Sequence, residues 1–108
     1  MNTPPTFEWT GRTDSEETGP STRWHHVVRP FDARSRGGVA LVGFAVDEGV
    51  RRNGGLAGAA AGPAALRAAL ANVPVRGEPA LWDAGDVGCI AGDLEAAQTQ
   101  LGRQVQTV

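Results

Sequence analysis

Between Asp47 and Asn53 the chain reads Asp-Glu-Gly-Val-Arg-Arg-Asn, two carboxylates followed by two guanidiniums and an amide. A guanidinium presents a planar fork of donors that matches the two oxygens of a carboxylate. Arg51 and Arg52 are therefore suited to hold an anionic small molecule, with Asn53 adding an amide. Asp47 and Glu48 stand close enough in sequence to orient the two arginines. The plainer reading of the same residues is a solvated charged loop with local ion pairs. The segment leaves the end of an apolar run that reads as a strand, and open α/β sheets bind ligands at the carboxyl ends of their strands. Arg51, Arg52 and Asn53 are thus the candidate substrate-binding residues.

Other chemistry finds less support. The stretch Gly54 to Gly62 lies between a strand and a helix, where phosphate loops sit, but the chain has no Lys and the stretch does not match G-x-G-x-x-G. A flexible turn of small residues is the expectation there. His25 and His26 are adjacent and so do not share a helix face, and no third ligand is near them in sequence. They read as surface or packing residues. Cys89 has no charged neighbour in sequence and reads as a small apolar side chain. Ser15, Ser21 and Ser35 all lie in a polar region, and none sits in G-x-S-x-G. On its residues alone the chain is expected to bind no cofactor and no metal, and no catalytic residue is assigned.

The elements that must position the charged segment follow from the hydrophobic pattern. Residues 1–38 are polar and broken by Pro and Gly, and read as an N-terminal arm with one short helix, capped by Ser21 and ended by Pro30. The aromatics Phe7, Trp9, Trp24 and Phe31 are expected to pack that arm onto something. Residues 39–108 read as an incomplete α/β segment. Val39 to Val46 form a nearly continuous apolar run, suited to a strand buried on both faces of a parallel sheet. Pro63 fits the first turn of a helix, with Leu66, Leu70 and Val73 as its buried stripe. A short strand is expected at Ala80 to Trp82, ending at Asp83. Asp93 then caps a last helix, with Glu95 in its positive first turn and Leu94, Ala97, Leu101 and Val105 on one face.

This β-α-β-α order predicts parallel strands with a right-handed crossover. Two such strands and their helices cannot cover both faces of a sheet. A piece of a larger α/β domain is expected, or a protomer completed by a partner.

Composition narrows the partners. Ten Arg against twelve acidic residues give a net charge of −2, with no basic footprint for nucleic acid. A single Cys allows no internal disulfide and no four-ligand Cys/His zinc site. No apolar run approaches the roughly 20 residues that span a bilayer. The opening MNTPPTFEWTGR lacks a basic region followed by an apolar stretch, so a cytoplasmic protein is expected, with no membrane partner.

The segment Gly43 to Pro74, GFAVDEGVRRNGGLAGAAAGPAALRAALANVP, resembles the N-terminal part of formimidoylglutamases, members of the arginase/ureohydrolase family. Leu81 to Val87 (LWDAGDV), Asp93 to Gln98 (DLEAAQ) and Trp9 to Asp14 (WTGRTD) extend the resemblance toward both ends. The helix start built on Gly62, Pro63 and Arg67 is similar to the wider family. The resemblance implies a three-layer α/β/α fold with a central parallel sheet. It implies hydrolysis of N-formimidoyl-L-glutamate to L-glutamate and formamide in histidine degradation, with two manganese ions activating a water or hydroxide.

The family binds those metals through GGGHE-like, DAHxD-like and SxDxD-like segments, which come later than the matched stretch and are not in this chain. The expectation is the first third of such an enzyme, inactive alone, partnered by the remainder of the enzyme or by a second copy. The small-molecule substrate would then be met only by the complete enzyme. Leu56 stands where the family tends to carry Arg, and Leu cannot bind a carboxylate. A free-standing, non-catalytic binding or oligomerisation module built from the same segment is the alternative. A small enzyme in its own right ranks last, lacking a base–nucleophile pair, a metal cluster and a phosphate loop.

Overall fold

The structure, a computed structural model, describes residues 7–13 and 22–108. Its elements run α1 (Trp24–Val27), β1 (Arg29–Pro30), β2 (Val39–Ala45), α2 (Glu48–Arg52), α3 (Gly62–Ala71), β3 (Leu81–Gly88) and α4 (Leu94–Thr107), with a 3₁₀ turn at Ala59–Ala61 leading into α3. The three strands form one parallel sheet in the order β1-β3-β2. The expected parallel pairing is present, and β3 is its centre. No helix among the described residues is long and apolar enough to cross a membrane.

The short helix of the arm is a single turn. Ser21, its expected cap, lies outside the described residues; Arg23 occupies the cap position and its amide donates to His26 Nδ1 at 3.0 Å. The turn ends at Val27, before Pro30 could end it. Arg29 precedes a proline and is biased to extended backbone. Together Arg29 and Pro30 form β1, which pairs with Trp82 and Asp83. A proline is tolerated there because β1 is an edge strand. The arm therefore adds a strand to the sheet, which its polar sequence did not announce.

β3 is longer than the strand expected at Ala80 to Trp82, because the backbone continues through Asp83–Gly88 by way of a bulge. Leu41 pairs with Asp83 and Gly43 with Asp86, so two steps along β2 answer three along β3. Gly85 supplies the extra residue with φ of 78°, a conformation open to Gly at little cost. Side chains alternate along a strand, so residues three apart normally face opposite sides. The extra residue resets that parity and turns Asp83 and Asp86 to the same face.

Asp86 faces α3, and its neighbour Val87 packs in a cluster with Val46 and Ala97 of α4. Adjacent strand residues point to opposite sides, so α3 and α4 cover opposite faces. This is part of the three-layer α/β/α arrangement. The α4 side is the apolar core, where Phe44, Cys89, Leu94 and Leu101 pack around that cluster. Asp93 caps α4 as expected, its Oδ1 accepting from the Ala96 amide at 3.0 Å. Val105 is exposed and Gln104 turns inward instead, donating to the Ala84 carbonyl.

Two burial expectations are overturned. β2 is half-buried along most of its length, with Val39 exposed and only Gly43 fully covered, because it lies at the sheet edge. In α3 the stripe Leu66, Leu70 and Val73 is not the buried one: Leu66 is 62% exposed, and the inward positions are Arg67 and Ala71. Ion pairing rather than apolar burial sets the rotation of this helix. Leu66 and Leu70 instead line an open cleft of about 240 Å³ against Leu41 and Phe44.

Candidate functional site

The segment at the carboxyl end of β2 is not the expected loop. It is a short helix, α2, started by the Arg51 amide donating to the Asp47 carbonyl at 2.9 Å. Helical spacing puts residues three and four apart on one face, so Glu48 meets both Arg51 and Arg52. Arg51 Nε donates to Glu48 Oε1 at 2.9 Å and Arg51 Nη2 to Oε2 at 2.6 Å, with a further contact from Nη2 to Oε1. Arg52 Nε stands 3.5 Å from Glu48 Oε2. Glu48 itself is only 6% exposed. The hydrogen bond from Arg51 holds its carboxyl below the ordinary range, against the opposing pull of burial.

Arg52 reaches across to the start of α4. Its Nη1 donates to Glu95 Oε1 at 2.7 Å and its Nη2 to the Gly92 carbonyl at 3.0 Å. The bond with Glu95 raises Arg52 and lowers Glu95 relative to their ordinary pKa values. Asn53 closes α2 through its backbone N–H, which donates to the Gly49 and Val50 carbonyls at 3.3 and 3.2 Å, and the residue is exposed. The structure thus brings Arg51 and Arg52 together on Glu48, with Asn53 following at the helix end.

Asp47 does not orient the arginines. Its Oδ1 accepts from the amides of Gly58 and Ala60 at 2.9 and 2.8 Å. Those bonds, Ala60 first and then Gly58, hold the Asp47 carboxyl below its ordinary value. The Gly-rich stretch is therefore fastened to the end of β2, and the donors that an anion would use there already serve a carboxylate of the same chain. Leu56, in the same stretch, is exposed.

A second polar cluster was not foreseen from spacing. Arg67, 4% exposed, donates from Nε to Asp83 Oδ2 and from Nη2 to Asp83 Oδ1, each at 3.0 Å. Its Nη1 donates to Asp86 Oδ1 at 2.7 Å and its Nη2 also to the Gly85 carbonyl at 3.2 Å. Burial alone would lower the Arg67 pKa; hydrogen bonds to Asp86 and Asp83 outweigh it and raise the value. Trp9 Nε1 donates to Asp83 Oδ2 at 2.8 Å, which places the arm on the same carboxylate. A Cβ at Gly43 would fall on the Asp86 carboxylate, so the bare backbone there is what lets β2 pass this cluster. The signal available in sequence was Asp-x-Gly-Asp, in which a Gly between two carboxylates permits a bulge.

The histidines do structural work. His25 Nε2 donates to the Arg12 carbonyl at 2.8 Å, and His26 Nε2 donates to Thr13 Oγ1 at 3.3 Å. Cys89 is a partly buried free thiol packed on the apolar core. Among the described residues no three His, Cys, Asp or Glu side chains group so as to hold a metal ion. Asp83 and Asp86 stand together but share Arg67 as their partner, a donor set that does not fit a two-manganese centre.

The chain is 51% identical over 100 residues to the formimidoylglutamase of Chromobacterium violaceum, a match covering 93% of this chain and 32% of that protein. It is 56% identical over 95 residues to that of Ralstonia nicotianae, covering 86% and 29%. It is 50% identical over 104 residues to that of Cupriavidus pinatubonensis, covering 93% and 33%. No family model matches the chain. The chain spans about a third of the length of these relatives. Trp9, Arg67, Asp83 and Asp86, which lie within the segments that resemble such enzymes, bond to one another in the folded chain. Over nearly its whole length, this chain is homologous to a segment about a third as long as these formimidoylglutamases.

Proposed function

We propose that this chain supplies the N-terminal segment of a cytoplasmic, manganese-dependent formimidoylglutamase, which hydrolyses N-formimidoyl-L-glutamate to L-glutamate and formamide. The observation that carries this reading is identity of 50–56% to three formimidoylglutamases across 86–93% of the chain. In this reading the remainder of the enzyme is the partner and brings the metal ligands, and the chain alone is inactive. When bound, the manganese pair supplies an activated water and polarises the carbon under attack. This chain's own share is the sheet that carries the site and the α2 segment at the end of β2. Arg51, Arg52 and Asn53 stand there as the substrate-side residues, and Arg51 and Arg52 are the cations suited to an anionic glutamate moiety. The exposed Leu66 and the apolar cleft beside it favour a chain that is covered by further protein.

The test is an exchange enzyme, in which this chain replaces the matching third of the Chromobacterium violaceum relative. Formamide release from N-formimidoyl-L-glutamate that requires manganese is the expected result. A folded exchange enzyme with no such turnover would contradict the reading.

A further inference from the structure

We infer that the two adjacent arginines divide their work: Arg51 is the residue that meets the substrate carboxylate, and Arg52 is a strut that ties α2 to α4, with Glu48 positioning both. The inference rests on the formimidoylglutamase reading and names the cation that reading leaves open.

All three guanidinium nitrogens of Arg52 are engaged. Nη1 and Nη2 hold Glu95 Oε1 and the Gly92 carbonyl, and Nε stands against Glu48. Two of those partners come from the segment that starts α4, some forty positions away in sequence. Turning Arg52 toward a ligand would break the link between α2 and α4 and strip Glu95 of its partner. Arg51 is different. It bonds to Glu48 alone, within its own helix, and its Nη1 makes no hydrogen bond to any described residue. Its side chain is 70% exposed, against 43% for Arg52. A carboxylate can therefore be received at Arg51 without breaking an existing contact.

Glu48 matters to this division because it is buried. A buried carboxylate that holds the Nε and Nη2 side of the guanidinium fixes the direction of the rest. Less side-chain entropy is then lost when a ligand arrives. The arrangement is that of a preset donor, placed at the carboxyl end of β2 where open α/β sheets take their ligands.

The test uses the exchange enzyme and its melting temperature together. Arg51→Ala should raise KM for N-formimidoyl-L-glutamate by about ten-fold or more, the scale of a lost charge-assisted contact, with kcat within about two-fold. Glu95→Gln, which loosens the strut from the α4 side, should lower the melting temperature and leave KM within about two-fold. Arg52→Ala should lower the melting temperature in the same way, and the double variant should be non-additive. A KM rise in Arg52→Ala equal to or larger than that in Arg51→Ala would overturn the division, as would an unchanged KM in Arg51→Ala. If the unmutated exchange enzyme fails to turn over this substrate, it is the functional reading that falls. The division is then read in the 108-residue chain itself. The Arg51 Nε–H signal should shift on adding L-glutamate while that of Arg52 stays; the reverse, or no shift, would overturn it.

Discussion

Arg67 meets Asp83 through two parallel bonds, Nε to Oδ2 and Nη2 to Oδ1, each 3.0 Å long. This fork joins α3 to the central strand, and the same carboxylate receives the Trp9 indole from the arm. Taking three charges out of water is costly, and mutual attraction repays that cost only when the geometry is good and the remaining donors are used. Here Asp86 and the Gly85 carbonyl use them.

Removing Arg67 leaves Asp83 largely buried without its cation. Arg67→Ala should cost about 3–5 kcal/mol, the range for breaking a buried ion pair from one side. At ~4–8 °C per kcal/mol for a chain of this size, the melting temperature should fall by about 12 °C or more. Arg67→Lys keeps the charge but not the fork, and should lie between the two. Circular-dichroism melts decide this; an Arg67→Ala variant melting with the parent chain would show that the cluster adds nothing.

Trp9→Phe keeps an aromatic ring and removes only the indole donor. A hydrogen bond to a charged group is worth roughly 1.5–3 kcal/mol. The loss should appear as a lower melting temperature. It should also speed amide exchange or proteolysis around Trp9, which ties this stretch of the arm to the central strand alongside the contacts of His25 with Arg12 and His26 with Thr13. Unaltered protection of that stretch would mean the arm is held by other contacts.

Gly85→Ala tests the bulge. At φ of 78° a β-carbon crowds the following carbonyl, costing roughly 1–2 kcal/mol. Urea denaturation should show at least this loss, because relaxing the strand would also turn Asp86 away from Arg67. A neutral outcome would mean that the parity of Asp83 and Asp86 does not depend on this residue.

Acid should weaken the α2 region. Asp47, Glu48 and Glu95 are all held below their ordinary values of 3.8, 4.5 and 4.5. A carboxyl lowered in the folded state stabilises fully above its unfolded value, and that contribution is lost as pH falls through the folded one. Stability by urea should therefore hold from neutral pH to about 5 and decline below about 4.5. Asp47→Asn, which can still accept from Gly58 and Ala60 but carries no charge, should flatten part of that decline. An identical acid profile in the two proteins would detach Asp47 from it.

The order of strands and helices was legible because apolar runs and caps are local: Val39 to Val46, Pro63 and Asp93 each mark an element by themselves. The rotation of α3 was not, because hydrophobic periodicity counts Leu66 and Leu70 and is blind to an arginine whose partners sit on a strand 16 and 19 residues away. β1 is two residues long and α2 five, below the length at which a period can be read. In the candidate site the charged residue types at Glu48, Arg51 and Arg52 were legible, but the helical turn that brings them together was not. The tie from Arg52 to Glu95 was not, because it depends on how α4 is placed.

Mixing this chain, as a separate polypeptide, with the remaining two thirds of the Chromobacterium violaceum relative in the presence of manganese tests its place in a formimidoylglutamase most directly. Formamide release from N-formimidoyl-L-glutamate should be absent from either piece alone and should rise to saturation as the chain is added to the other. Release by the chain alone, or none from any mixture of the two folded pieces, would contradict it.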